Sequence, residues 1–376
     1  VFGGDLAEEL EKALPQKYHY KQLQKKVAEY REIKANGGWE SVNLDGTLKP
    51  GESAEGVPSL RQRLIVTRDY LPCEESSEAL VYDMCLQKAV EHFQRRNGLE
   101  DDAAVGPQTL AMLNKTVDER IETILLNLDR IKWLNDPGSK RHIIINIPDF
   151  MLYFEQDGEL IQTFRTIVGT PKNPTPIFSN SVKTIVLNPQ WNVPKSIIQK
   201  EYIPEILRNP NILRKDKIEV YSGWGRDAVK LDPASINWAA YRYSKTVPYR
   251  LAQTAGTHNA LGKVKFLFPN KFSVYMHDTP TKHLFAKDKR AFSHGCIRLQ
   301  KPRELLETFS AFEENVDFEK SQKILEGTKK KYLPLDVQVP IDVIYLTAWV
   351  DYDGQLQFRN DVYGYDEMQL KSFKQW

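Results

Sequence analysis

Two spacings of apolar residues divide the chain. Between Val57 and Asn114 they recur at helical intervals: Leu60 and Leu64, then Leu86, Ala89, Val90 and Phe93, then "GPQTLAMLN", where Pro107 stands at a first helical position. The spacing predicts a small three-helix domain, assigned to residues 51–116. The amphipathic run "KTVDERIETILLNLDRIKWL" predicts one longer helix, read as a connector over 117–140. Upstream, residues 5–34 are charged and helix-friendly, broken by Pro15 and stopped at Gly37 and Gly38, so residues 1–50 read as the remnant of a truncated helical scaffold element. After "NDPGSKR" the pattern changes to strands. "HIIINI" and "FMLYFEQDGELIQTFRTIVG" are rich in apolar and aromatic residues, and Asp157-Gly158 between two such runs predicts a hairpin. Residues 141–376 therefore read as a mainly β domain. Within it, about 196–255 turn helical and aromatic before strand character returns at "KVKFLFP" and "FSVYMHD", an insertion long enough to be a lid over a site. The expected fold class is α+β and multi-domain.

Composition narrows the partners. Across 376 residues, 52 basic and 50 acidic side chains leave a formal net charge of +2, spread along the chain, so no polybasic surface for nucleic acid or anionic lipid is implied. An apolar share of 41% with 27% charged residues is that of a soluble globular protein. No apolar run approaches the roughly eighteen residues of a membrane span, and no signal peptide opens the chain. The chain begins with Val and reads as trimmed at its N-terminus, which leaves room for a signal or membrane anchor in a longer form.

Three cysteines are present, and Cys296 stands far from Cys73 and Cys85. It lies in "RAFSHGCIRL", directly after His294-Gly295. A thiol attacks an acyl carbon as the thiolate, and reaching that state near neutral pH takes an imidazole or a similar cation beside it. His277, at the end of "FSVYMHD", precedes Cys296 by 19 positions, enough for a strand end, a loop and a return to the same edge. His294 is so close in sequence that in an extended chain it would share a strand face with Cys296, where it could orient or shield the thiol. Gly295 removes a side chain where the N–H groups of Gly295 and Cys296 could face a developing oxyanion. Zinc held by His277, His294 and Cys296 is the alternative for the same residues, but no Cys-x-x-Cys or His-Glu-x-x-His pattern supplies companions, and neither metal nor cofactor is expected. His19, His92, His142, His258 and His283 read as surface or local hydrogen-bonding residues.

These motifs resemble known families. His277 followed by "SHGCIR", with "IVGTPKNPTPIF", "LNPQWNVP" and "ALGKVKFLFP" ahead of it, resembles the YkuD-type L,D-transpeptidases of the bacterial cell wall over about residues 141–310. The helical unit resembles the peptidoglycan-binding helical domain family through Phe93, Gln94, Gly98, Leu99, Asp102, Val105, Gly106 and Pro107. Ala103 stands where that family usually carries Gly, a costly choice if the turn needs a positive φ. With the lid and the closing β sequence, the whole is similar to the large Gram-negative periplasmic members.

The resemblance implies an L,D-transpeptidase-like β-sandwich in which Cys296 is the acyl-accepting nucleophile and His277 its base, oriented by a backbone carbonyl. Gly295 and Cys296 would supply oxyanion donors, with His294 beside them. Tyr275, Trp191 and Ser293 would line the substrate groove, and Arg298, where many relatives carry Asn, would hold the loop or a carboxylate. Ile177 is a second departure, at a position where Gly is frequent. The implied reaction is acyl transfer between peptidoglycan tetrapeptide stems in the periplasm. Cys296 takes the acyl group, D-Ala leaves, and the side-chain amine of a neighbouring stem resolves the thioester. A wall-anchored lipoprotein or water are the other acceptors such a site could use.

Two rivals are weighed against it. A non-catalytic wall-binding module would leave Cys296 unreactive, which thiol labelling tests. A papain-like peptidase has its Cys before its His, the reverse of the order here. For the other two cysteines both outcomes stand open. A Cys73–Cys85 bond, permitted in an oxidising periplasm, would contribute about 3 kcal/mol in the chain-entropy model. Cys85, one position before Leu86 on an apolar helix face, could equally be buried as a thiol.

Overall fold

The helical spacing between Val57 and Asn114 folds as helices Val57–Val66, Met84–Arg96 and Pro107–Leu113, and Leu60, Leu64, Leu86, Ala89, Val90 and Phe93 meet in one buried core. The structure, a computed structural model, describes residues 19–71, 73, 78–134, 138–244 and 246–373, so the helical expectation for residues 5–18 lies outside the described residues. Local chemistry starts each helix. Asp83 accepts from the Leu86 N–H at 2.8 Å, and Pro107 occupies a first turn where its missing N–H costs nothing. Ala103 does adopt the left-handed backbone, at φ 60°, with its N–H donating to Gln94 Oε1 at 2.9 Å and its carbonyl accepting from the Tyr82 hydroxyl at 2.6 Å. Cys73 and Cys85 form a disulfide, their Cα atoms 6.1 Å apart, and Cys85 is also buried. The bond ties the polar loop to the helix that carries Phe93.

The chain divides into two units, with the first break beside the expected boundary at 141 but with the tail outside the β unit. The first takes the chain up to Gly138 together with Ile145–Phe150 and everything from Val343 onward; the second takes Ser139–Ile144 and Met151–Asp342. The expected connector is helix Val117–Lys132, opened by a capping box in which Thr116 and Glu119 each accept from the other's backbone N–H. It is part of the first unit's body. Asn127 exchanges two hydrogen bonds with Thr347, at 2.8 and 2.9 Å, and Arg130 pairs with Asp366 at 2.7 Å. Buried polar groups on the helix thus find their partners in the tail, which the reading from sequence had assigned to the β domain.

The strands are β1 Arg141–Asn146, β2 Met151–Gln156, β3 Glu159–Gly169, β4 Phe178–Leu187, β5 Trp191–Asn192, β6 Ile218–Tyr221, β7 Lys230–Leu231, β8 Arg250–Gln253, β9 Val264–Leu267, β10 Met276–His277, β11 Ala291–Ser293, β12 Ile297–Leu299 and β13 Lys331–Ile344, all in the second unit but for the last two residues of β1 and of β13. The main sheet runs β11-β3-β12-β10-β9-β4-β13-β1-β2, and β2 also pairs with β3, so one sheet closes on itself. The length of β3 makes this possible: its first part pairs with β2 from Glu159 to Arg165, its last residues with β12 and β11. The β2–β3 turn has Asp157 at φ 52° and Gly158 at φ 86°, two positive values as a type I′ hairpin requires. Helix Pro302–Ser310 sets Phe309 against Phe154 and Phe266 in the core. His142 is not on the surface. It is buried in β1, with Nε2 2.9 Å from Asp342 and Nδ1 3.5 Å from Glu155, because two carboxylates compensate its desolvation.

The insertion forms a subdomain with its own sheet, β5-β8-β6-β7, and its own core around Ile203, Val220, Trp238 and Leu251. A helical stretch runs Lys195–Ile197, a π turn Ile198–Tyr202, then Ile203–Arg208. The aromatics divide: Trp238 packs inside, while Trp224 and Tyr243 are exposed.

Candidate active site

Parallel pairing of β10 with β12 builds the site. Met276 stands opposite Ile297 and His277 opposite Arg298, and the Ile297 N–H donates to the Tyr275 carbonyl at 3.0 Å. The alternation of a strand then puts Tyr275 and His277 on one face of their strand, with the two rings edge to face at 5.6 Å, and Cys296 and Arg298 on one face of theirs. All four side chains open into one cavity of about 570 Å³. Trp191, Ser293 and His294 also line it, so every expected site residue except Gly295 reaches the cavity wall.

Gly295 breaks the extended chain that was expected through His294 and Cys296. Its φ of +108° is a conformation that side chains with a Cβ rarely adopt, while a Cβ there would meet only the Pro174 and Asn173 carbonyls at ordinary contact distance. Backbone conformation, not space, calls for Gly. His294 is consequently exposed and pairs with Glu201 of the lid at 2.7 Å rather than sharing a strand face with the thiol. Side chains brace the turn. Ser293 Oγ donates to the Cys296 carbonyl at 2.5 Å and accepts from the Gly295 N–H at 3.1 Å. Thr175 Oγ1 donates to the Gly295 carbonyl at 2.9 Å and accepts from the Gly169 N–H at 2.8 Å. Ser293 is therefore spent on the turn, and the Gly295 N–H points to Ser293 rather than into open space. Thr175 was not singled out from sequence; its signal was a hydroxyl between two prolines in "NPTPIF".

Charge around the thiol is uneven. His277 Nδ1 lies 2.5 Å from the Asp278 carbonyl, which can only accept, so Nδ1 carries the proton and Nε2 keeps its lone pair. Burial, then the neighbouring cations Arg298, Lys265 and Lys282, push the imidazole pKa down to about 3 against the Asp278 bond. Burial also pushes the Cys296 thiol up, with Tyr275, Lys265 and Arg298 working against that shift. The resting pair is a neutral thiol and a neutral imidazole. The thiol is partly exposed and faces the Ser273 carbonyl at 3.9 Å. Arg298 donates to Thr281 Oγ1 at 3.3 Å, which holds the loop between β10 and β11. Among the described residues, His277, His294 and Cys296 are not brought together as a metal-ligand group.

Sequence comparisons point one way. Residues 140–329 match the family model described as the L,D-transpeptidase catalytic domain, YkuD, and residues 53–113 match "Putative peptidoglycan binding domain". A curated Haemophilus influenzae protein described as "Putative L,D-transpeptidase" is 32% identical over 263 residues, 69% of this chain and 51% of that protein. The chain thus spans about half the length of that relative. Among solved structures, an L,D-transpeptidase from Stackebrandtia nassauensis is 13% identical, covering 81% of this chain and 96% of its own, with a TM-score of 0.30. L,D-transpeptidase 3 from Mycobacterium tuberculosis with a faropenem-derived adduct is also 13% identical, over 54% of this chain and 60% of its own, with a TM-score of 0.25. Likenesses that distant add nothing to the family match.

Proposed function

We propose, for a chain that belongs to the YkuD family of L,D-transpeptidase catalytic domains, that its second unit cross-links peptidoglycan stems through a thioester on Cys296. The observation that carries the reading is a partly exposed thiol on a braced glycine turn, opening with His277, Tyr275 and Arg298 into one cavity.

In the first step the Cys296 sulfur bonds to the carbonyl carbon of the L-centre-to-D-Ala bond while its proton passes to His277 Nε2. The imidazole is held in the required tautomer by Asp278. The carbonyl oxygen becomes an oxyanion, for which the Cys296 N–H is the available donor of the turn. Collapse breaks the C–N bond, and His277 returns the proton to the departing D-Ala amine. In the second step the side-chain amine of a neighbouring stem attacks the thioester, gives its proton to His277, and the sulfur leaves and takes that proton back. Because imidazolium is disfavoured in the resting site, proton transfer accompanies attack instead of preceding it.

The matched peptidoglycan-binding unit supports a wall substrate, and the Cys73–Cys85 bond supports placement in an oxidising compartment such as the periplasm. Intact-mass analysis after exposure to a purified tetrapeptide tests the reading. A thioester adduct minus D-Ala is expected on the native chain, none on Cys296→Ala, and adduct loss on adding a diamino-acid stem identifies the acceptor. Tetrapeptide turnover by Cys296→Ala would overturn it.

A further inference from the structure

Several lysines lie near the site, and Lys265 is one that has no polar partner among the described residues. Lys263 donates to the Leu325 and Gly327 carbonyls, and Lys282 donates to the Leu299 and Gln300 carbonyls and pairs with Asp278 at 2.7 Å. Lys265, between them on β9 and directly opposite His277 in the antiparallel register, makes no ion pair and no hydrogen bond among the described residues. Its Nζ instead rests 3.5 Å from the centroid of the Tyr275 ring. The Tyr275 side chain lines the same cavity as Cys296 and in turn favours the ionised form of its thiol. A half-buried lysine without a carboxylate is costly for a fold to keep, and an unpaired ammonium on a ring face gains only about 0.5–2 kcal/mol from it.

We propose that Lys265 is a positioning residue of the acyl-transfer site: its ammonium, seated on the Tyr275 ring, holds the phenol against Cys296 and supplies the standing positive charge that balances the thiolate. The proposal rests on Cys296 being the nucleophile. His277 cannot fill this role at rest, since its imidazolium is disfavoured by burial first and then by the neighbouring cations. Arg298 faces the sulfur too but is tethered to Thr281. The other charged group that acts on Lys265 is Lys330, a like charge that opposes its protonation. Burial, with Lys330 adding to it, brings the Lys265 amine down to about 8, while the Cys296 charge works the other way. The lysine and the thiol thus act on each other, each charged form favouring the other. Sequence inspection could not single out Lys265, because on an edge-to-edge reading it is one of many strand lysines.

The test reads the pH profile of Cys296 alkylation by iodoacetamide, a neutral reagent whose carbon bonds sulfur as iodide leaves. Lys265→Met keeps the stem's packing and removes the charge. It should move the midpoint of the profile upward by about one pH unit, equivalent to about tenfold slower labelling on the rising limb. Lys265→Gln is the second neutral variant, in case Met does not fold, and is expected to shift likewise. Tyr275→Phe keeps the ring under the ammonium and should shift the midpoint less than Lys265→Met. A purely structural lysine would lower thermal stability and leave the midpoint in place, and an unmoved midpoint in a folded neutral variant overturns the proposal. Failure of the nucleophile reading looks different: the native chain itself would show no preferential labelling at Cys296.

Discussion

The Nδ1 of His277 rests 2.5 Å from the carbonyl oxygen of Asp278, and that single contact decides which nitrogen can take a proton from the thiol. The same imidazole is buried among Arg298, Lys265 and Lys282, and its pKa falls to about 3. Acylation by a carbapenem or a stem through the neutral thiol and imidazole should then be nearly flat between pH 5 and 7. An acidic limb centred near 6.5, the ordinary imidazole value, would contradict a neutral resting histidine. Stopped-flow or mass-resolved acylation rates across that range check it.

Thr175 is buried and links Gly169 to Gly295 through one hydroxyl. Thr175→Val keeps the volume but removes the hydroxyl's hydrogen bonds to Gly169 and Gly295, which costs about 1–3 kcal/mol. The turn carrying Cys296 loses its brace at the same time. Acylation should slow by more than the melting-temperature loss alone explains, measured below the transition where both proteins are folded. Wild-type acylation in Thr175→Val would show that Ser293 suffices.

His142 offers a stability readout separate from the active site. Burial alone would lower its pKa, but hydrogen bonds to Asp342 and Glu155 and their charges raise it above the ordinary value. A raised folded pKa stabilises at pH below the unfolded value of about 6.5, and the contribution disappears as pH climbs through the folded pKa. His142→Gln should therefore lose more melting temperature at pH 6 than at pH 9, with a difference of about 2 °C or more. Equal losses at both pH values would mean the histidine acts only by packing.

Glu201 and His294 join lid and catalytic turn at 2.7 Å, and both side chains are about half exposed, so the pair contributes at most about 1 kcal/mol. The lid has a core of its own, and its helical stretch 195–208 lines the cavity together with Trp191, Pro194, Ile212 and Asp216. Hydrogen exchange should slow over 195–208 once Cys296 carries a carbapenem adduct, while strands β6 and β8 stay unchanged. Identical exchange over 195–208 with and without adduct would remove the gating role.

The core positions of the three helices, the Asp157-Gly158 hairpin and the lid insertion were readable along the chain, because each depends on residues a few positions apart. Cys296 and His277 stood out as candidates for a chemical reason, a thiol beside glycine and an imidazole at a strand end, and the structure brings both to one cavity. Ala103 at φ 60° was flagged by the Gly it replaces. What no local pattern could reveal was pairing over long separations. Asn127 meets Thr347, His142 meets Asp342 and Thr175 meets Gly295 only after the sheet closes and the tail returns. The environment of the thiol belongs to that second class: desolvation and the field of Lys265 and Arg298 exist only when β9, β10 and β12 lie side by side, so the sequence by itself determined which atoms are the candidates for the chemistry and the tertiary structure alone decided their protonation.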